Sequence, residues 1–160
     1  MTKDTRGFSL IELLIVIAII LIIAAIAIPN LLRSRMAANQ ASAVASLRTL
    51  NTSEATYSTT YNIGYASQLA YLGPGTGASP SSTGAGLVDS VLANGTKSGY
   101  TFALTATAQD ANGNTTAYTI TAAPSNPGTT GQNYYFTDQT CVIRQNSTGA
   151  AGSADSPIGN

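Results

Sequence analysis

Two features of the sequence could do chemistry, and they lie close together near its start. The first is the peptide bond between Gly7 and Phe8, which directly follows a polar leader carrying Lys3 and Arg6. Gly7 has no side chain, so a protease can bring its catalytic groups close to that bond. Cutting there removes residues 1–7 and leaves everything downstream attached. The second feature is Glu12, a carboxylate inside an otherwise apolar segment. Such a charge costs on the order of 3 kcal/mol even on the gentle insertion scale. A new amine created at Phe8 would stand one helical turn away. If that amine met Glu12 of a neighbouring copy, the two would attract by roughly 4 kcal/mol at about 4 Å in an effective dielectric near 20. Desolvation offsets much of that gross attraction, so the larger use of the pair would be axial register. The competing reading leaves Glu12 among lipid headgroups at little cost. Position alone does not separate the two.

The element that must carry both features is a helix. Residues 13–28 are all apolar, and the span from Phe8 to Ile28 is 21 residues. As a helix it would be roughly 30 Å long, about the thickness of a bilayer's hydrocarbon core. Lys3 and Arg6 favour a cytoplasmic N-terminus, with Arg33 and Arg35 on the far side weakening the bias. An ordinary secretory signal is cut after its apolar stretch, at small residues. Here the candidate cut precedes it, so the anchor would stay. Pro29 then removes one helical hydrogen bond and predicts a kink or local melting over residues 25–29. A continued, bent helix is the expected outcome, because residues 30–61 contain neither Gly nor a second Pro. In that segment Leu32, Met36, Ala43, Leu47, Leu50, Glu54, Tyr57 and Tyr61 recur at helical intervals, an amphipathic face suited to lying on a sheet. One helix is expected from residue 8 to about 58.

Composition excludes several functions. Seven basic and seven acidic residues balance, without a long basic run, so a nucleic-acid footprint is not expected. Histidine, the commonest general base and metal ligand, is absent. Cys141 is the single cysteine, which rules out an internal disulfide. The acids after residue 60 are scattered, whereas a hard cation wants six or more oxygens. No catalytic residue, cofactor or metal site is therefore expected. Four Asn-x-Ser/Thr sequons, at Asn51, Asn94, Asn114 and Asn146, are attributed to chance in a chain rich in these residues. Tyr57, Tyr61 and Tyr65, four residues apart, read as core packing rather than an aromatic path for electrons.

Residues 62–98 read as a linking loop, with a Gly/Ser/Pro-rich stretch over 73–86 that has little means of burying itself. A short helical turn is expected over 87–92, ended by Asn94-Gly95. Residues 99–109 and 116–123 alternate, with Tyr100, Phe102 and Leu104 facing Tyr118, Ile120 and Ala122, around an Asn-Gly turn. Residues 134–137 and 141–144 read as a second, tighter hairpin, in which Cys141 alternates with Ile143 as a buried small residue. Three to four antiparallel strands are expected over 99–145, followed by a flexible tail over 146–160.

The run Gly7-Phe8-Ser9-Leu10-Ile11-Glu12, with the Ile/Leu/Ala segment after it, resembles the class III signal of type IV pilins and type II secretion pseudopilins over residues 6–35. The resemblance implies cleavage after Gly7 by a prepilin peptidase and N-methylation of Phe8. It implies filament assembly through Phe8, Glu12 and Pro29. The implied fold is α+β: a long N-terminal helix, kinked near Pro29, whose C-terminal half (residues 29–61) packs on a small antiparallel β-sheet. The implied partners are further copies of the chain in a helical filament, the peptidase, an inner-membrane assembly platform, and lipid before assembly. The chain would start as a single-pass bacterial inner-membrane protein and end in an extracellular pilus or a periplasmic pseudopilus. It would not be an enzyme. Residues 118–124 and 135–144 resemble, more loosely, the C-terminal hairpins of major pseudopilins, which often carry Gly where Cys141 stands. A pilus subunit is the leading expectation. A major pseudopilin of a type II secretion system is the alternative, and a minor pilin used for adhesion or DNA uptake is the third.

Overall fold

The computed structural model describes residues 8–77 and 79–159. The chain divides into two compact units, one ending at Arg35 and one starting at Met36. Helix α1, Leu10–Tyr61, begins in the first and ends in the second. Its backbone stays helical through Pro29, so of the outcomes expected there continuation is observed and local melting is not. It stops where Asn62 turns left-handed, at a φ of 53°. Asn tolerates that conformation, which is why it serves as a helix stop.

The second unit pairs the end of α1 with a five-stranded antiparallel sheet in the order β1-β2-β3-β4-β5. The strands are β1 Thr96–Lys97, β2 Tyr100–Gln109, β3 Thr115–Pro124, β4 Tyr134–Asp138 and β5 Arg144–Asn146. Alternation sets the register: Phe102 opposes Ala122 and Leu104 opposes Ile120, with Tyr118, Ile120 and Ala122 all buried. The turn between β2 and β3 places Gly113 at a φ of 83°, the left-handed geometry the Asn-Gly pair promises. Leu47, Leu50 and Tyr57 of α1 join Tyr100, Phe102, Tyr118, Ile120 and Tyr135 in one core cluster. Asn51 crosses it as a polar tie, donating to Thr137 Oγ1 at 3.0 Å and accepting from the Tyr118 hydroxyl at 3.4 Å. The three tyrosines at four-residue spacing form two separate pairs, Tyr57 with Tyr61 and Tyr65 with Tyr118, at 4.9 and 4.8 Å between ring centres.

Four expectations need correcting. The sheet has five strands, because two short edge strands, β1 and β5, flank the three inner ones. The linking region buries itself better than its composition implied. It holds the short helices α2, Leu69–Leu72, and α3, Ser90–Ala93, and contributes Ala66, Leu69, Leu72, Ala85, Val88 and Leu92 to the core. Between them the chain doubles back, with Pro74 bridged to Ala85. Cys141 is exposed, not buried. It turns left-handed, at a φ of 60°, and the partner of β4 begins only at Arg144. The segment expected as a flexible tail folds back. Ile158 N–H donates to Ile143 C=O at 2.9 Å, and Asp155 accepts from Asn146 Nδ2 at 3.0 Å and from Gly152 N–H at 2.8 Å. Ala151 is buried.

Candidate functional site: an exposed apolar helix with an acidic first turn

From Phe8 to Leu31 every large apolar side chain is at least 47 % exposed. The best 18-residue window of α1 has a mean hydropathy of 3.3, with none of it buried, which makes the helix long and apolar enough to cross a membrane. Burying one Leu or Ile side chain is worth about 1.5–3 kcal/mol. A row of such residues on every side of a helix therefore carries a penalty of tens of kcal/mol in water. Lipid, or other copies of the same surface, must cover it.

The first turn adds the one charge. Glu12 sits at the third position of α1, and its Oε2 accepts the Ser9 backbone N–H at 2.9 Å. That is half of a capping box, the Ser-x-x-Glu spacing by which a first-turn carboxylate satisfies an N–H that the helix leaves unpaired. The negative charge also lies at the positive end of the helix dipole. Ser9-Leu10-Ile11-Glu12 shows this spacing in the sequence, which makes Ser9 a partner of Glu12 that the residues themselves announce. Phe8 precedes the helix and is 83 % exposed. The geometry thus groups Phe8, Ser9 and Glu12 in one turn. Pro29 lies nearly five turns further along the helix (about 3.6 residues each) and is not part of the cluster. Gly7 lies outside the described residues.

The second unit holds a different carboxylate. Glu54 is fully buried. Its Oε2 accepts the Ala66 N–H at 2.8 Å, while Oε1 has no partner among the described residues. Desolvation pushes its pKa up to about 7, against the opposing pull of the Ala66 N–H. Tyr57 and Tyr118, the titratable groups it perturbs, carry no positive charge to offset it. Sequence spacing placed Glu54 on the buried stripe without showing that the stripe would seal it. Among the described residues, no group of three or more His, Cys, Asp or Glu could hold a metal.

Residues 2–28 match the family described as the prokaryotic N-terminal methylation motif. The type IV wide pilus major component PilA4 of Thermus thermophilus is 65 % identical over 37 residues, which is 23 % of this chain and 28 % of that one. The type IV major pilin protein PilA of Myxococcus xanthus is 48 % identical over 52 residues, 32 % of this chain and 24 % of that one. Over its N-terminal segment the chain is similar to type IV pilins. The pilin likeness spans only about a quarter of each relative's length, and no solved structure matches. The α+β fold described above, a long N-terminal helix with a small antiparallel sheet, is nonetheless the one the class III signal implied.

Proposed function

We propose that the chain is the structural subunit of a type IV pilus-like filament. The observation that carries this reading is the uncovered apolar helix from Phe8 to Leu31, most of which lies inside the matched methylation motif of residues 2–28. A prepilin peptidase removes residues 1–7, and Phe8 becomes the N-methylated first residue. The helix rests in the inner membrane until an assembly platform draws it out. It then exchanges lipid for the same helices of other copies. Head-to-tail, non-closing contacts of that kind produce filaments. Glu12 sets the axial register, because its charge is tolerated in the apolar filament core only opposite an amine.

Two considerations favour a pilus over a secretion pseudopilus: both relatives carry the words type IV in names that describe pilus proteins, and the head presents a Thr-rich surface. Mass spectrometry of sheared surface filaments should find methyl-Phe8 as the N-terminus. Intact Met1 in the mature protein would remove both filament readings, and processed protein confined to the inner membrane would favour the pseudopilus. Glu12→Ala should be inserted and cleaved normally yet lower filament yield by about 100-fold, as expected for a buried charge pair worth about 3 kcal/mol. Glu12→Gln separates the two uses of this residue. Gln can still cap Ser9, so assembly by the Gln variant would show that capping, not charge, is what the filament needs.

A further inference from the structure

We infer that the head carries a binding cleft for one uncharged sugar ring, a site that does not depend on filament assembly. The cleft has a volume of about 220 Å³, below the roughly 300–1,000 Å³ of sites for drug-sized ligands. Its walls come from four stretches of chain: the end of α1 with Tyr57, the segment carrying Ile63, Tyr65 and Tyr71, the loop at Ser82, and the β2–β3 turn with Gln109 and Asn114. None of the lining residues carries a charge at neutral pH.

The walls are tied to one another. Tyr57 donates its hydroxyl to Ser82 C=O at 2.6 Å, joining α1 to the loop. Tyr65 N–H donates to Thr115 C=O at 2.9 Å, joining the segment after α1 to β3. Gly64 makes that contact possible: it has a φ of 79°, and a Cβ there would stand 2.1 Å from the Thr115 carbonyl oxygen. Glu54 holds the same segment from behind through Ala66 N–H. Tyr71 sits in α2, with its backbone bonded at both ends, to Gln68 and to Ala85. A cleft fixed in this way needs little ordering when a ligand enters.

Its chemistry selects the ligand class. Without a cation among its lining residues it cannot clamp a phosphate or carboxylate, and the carboxylate beside it, Asp110, is already taken up by the N–H groups of Asn112 and Asn114. What remains is the partly exposed Tyr65 and Tyr71, with Tyr57 buried behind them, beside neutral donors and acceptors. Asn114 Nδ2 donates to Asp110 at 3.0 Å, and its Oδ1 accepts no hydrogen bond among the described residues. Gln109 supplies an amide, and Ser67 and Thr83 supply hydroxyls that can turn either way. A sugar ring presents the complement: C–H faces for the tyrosine rings and hydroxyls that both donate and accept.

The test is saturation-transfer NMR on the full chain, held in a detergent without a sugar headgroup. Methyl glucoside, methyl galactoside and N-acetylglucosamine are the neutral probes, with glucose 6-phosphate and glucosamine as charged ones. At least one neutral probe should take up saturation at its ring C–H protons, and the charged probes should not. Tyr71→Ala should weaken binding by about tenfold, and Tyr71→Phe should restore most of it. Gln109→Ala, on an exposed side chain, should weaken binding while leaving the head's thermal transition in place. The proposal is overturned if no neutral probe is saturated, if charged and neutral probes respond alike, or if neither Tyr71→Ala nor Gln109→Ala changes the response.

Discussion

The two halves of α1 solve opposite problems with different amino acids, Ile and Leu dominating the first and Ala, Ser and Thr the second. From Met36 on, the helix is sorted. Leu47, Leu50 and Tyr57 are buried, while Thr49, Thr52, Thr56 and Thr59 face outward with each hydroxyl bonded to the carbonyl four residues before it. That half is completed by its own chain. From Leu13 to Ile28 the helix is unsorted, apolar on every side, and its large side chains are left exposed by the described residues. Periodicity is therefore the mark of a helix with a built-in partner, and its loss marks one whose partner is other matter. The two glutamates follow the same division. Glu54 is sealed inside the core of the second unit, whereas Glu12 lies exposed in the first turn of α1.

The largest effect that could break this comparison comes from matched truncations. Leu47→Ala should destabilise the head by about 2–5 kcal/mol, because it empties a fully buried site. Leu21→Ala should leave head unfolding within about 0.5 kcal/mol of the parent. Tyrosine fluorescence during urea unfolding in detergent can read both, since all eight tyrosines lie at residue 57 or beyond. An equal shift from Leu21→Ala would show that the two halves do not stand independently.

The next effect turns on Glu54. Its folded pKa, about 7, lies above the ordinary 4.5, so the folded head holds the proton more tightly than the unfolded chain does. Stability from this group is fully present below pH 4.5 and is lost as pH rises to 7 and just beyond. The groups facing Glu54 are Tyr57 on its own helix and Tyr118 on β3, both neutral through this range. The loss is at most about 3 kcal/mol, at 1.36 kcal/mol per pKa unit. Urea midpoints between pH 4 and pH 8 should fall in the parent. Glu54→Gln should flatten this part of the profile and be the more stable of the two at pH 8. A parent midpoint that rises over the same range would mean that Glu54 finds a cation in the folded head.

How far the sequence carried the reading follows from what each segment depends on. The apolar helix, the β2–β3 hairpin and the stripe through Leu47, Leu50 and Tyr57 were legible because period and turn chemistry are local. The fold-back of residues 146–158 was not. It rests on single polar ties through Asp155 to Arg144, Asn146 and Gly152, which small Gly, Ser and Ala residues do not announce. The Gly-rich stretch over 73–86 was misread for a related reason. Low complexity signals a segment unable to bury itself, yet here its flanking Leu72, Ala85 and Val88 anchor it in the core. At the candidate site, the charge of Glu12 was legible, but its bond to Ser9 was overlooked in favour of a partner on another chain.

The smallest effect sharpens the reading of a single turn. Cys141 was placed on a strand because it alternates with Ile143, but its φ of 60° ends the alternation. The turn is closed by Cys141 N–H donating to Asp138 C=O at 2.9 Å, and Asp138 also accepts from the Thr140 N–H at 2.9 Å. A left-handed residue with a Cβ costs roughly 1–2 kcal/mol. Glycine removes that strain and returns part of the gain through its freer unfolded chain, about 0.5–1 kcal/mol. Cys141→Gly should therefore raise the head's urea midpoint by the equivalent of up to about 1 kcal/mol. Cys141→Val should lower it by more than that, because a β-branched side chain is a true outlier at positive φ. A neutral or destabilising Gly variant would instead mean that the exposed thiol contributes a contact of its own.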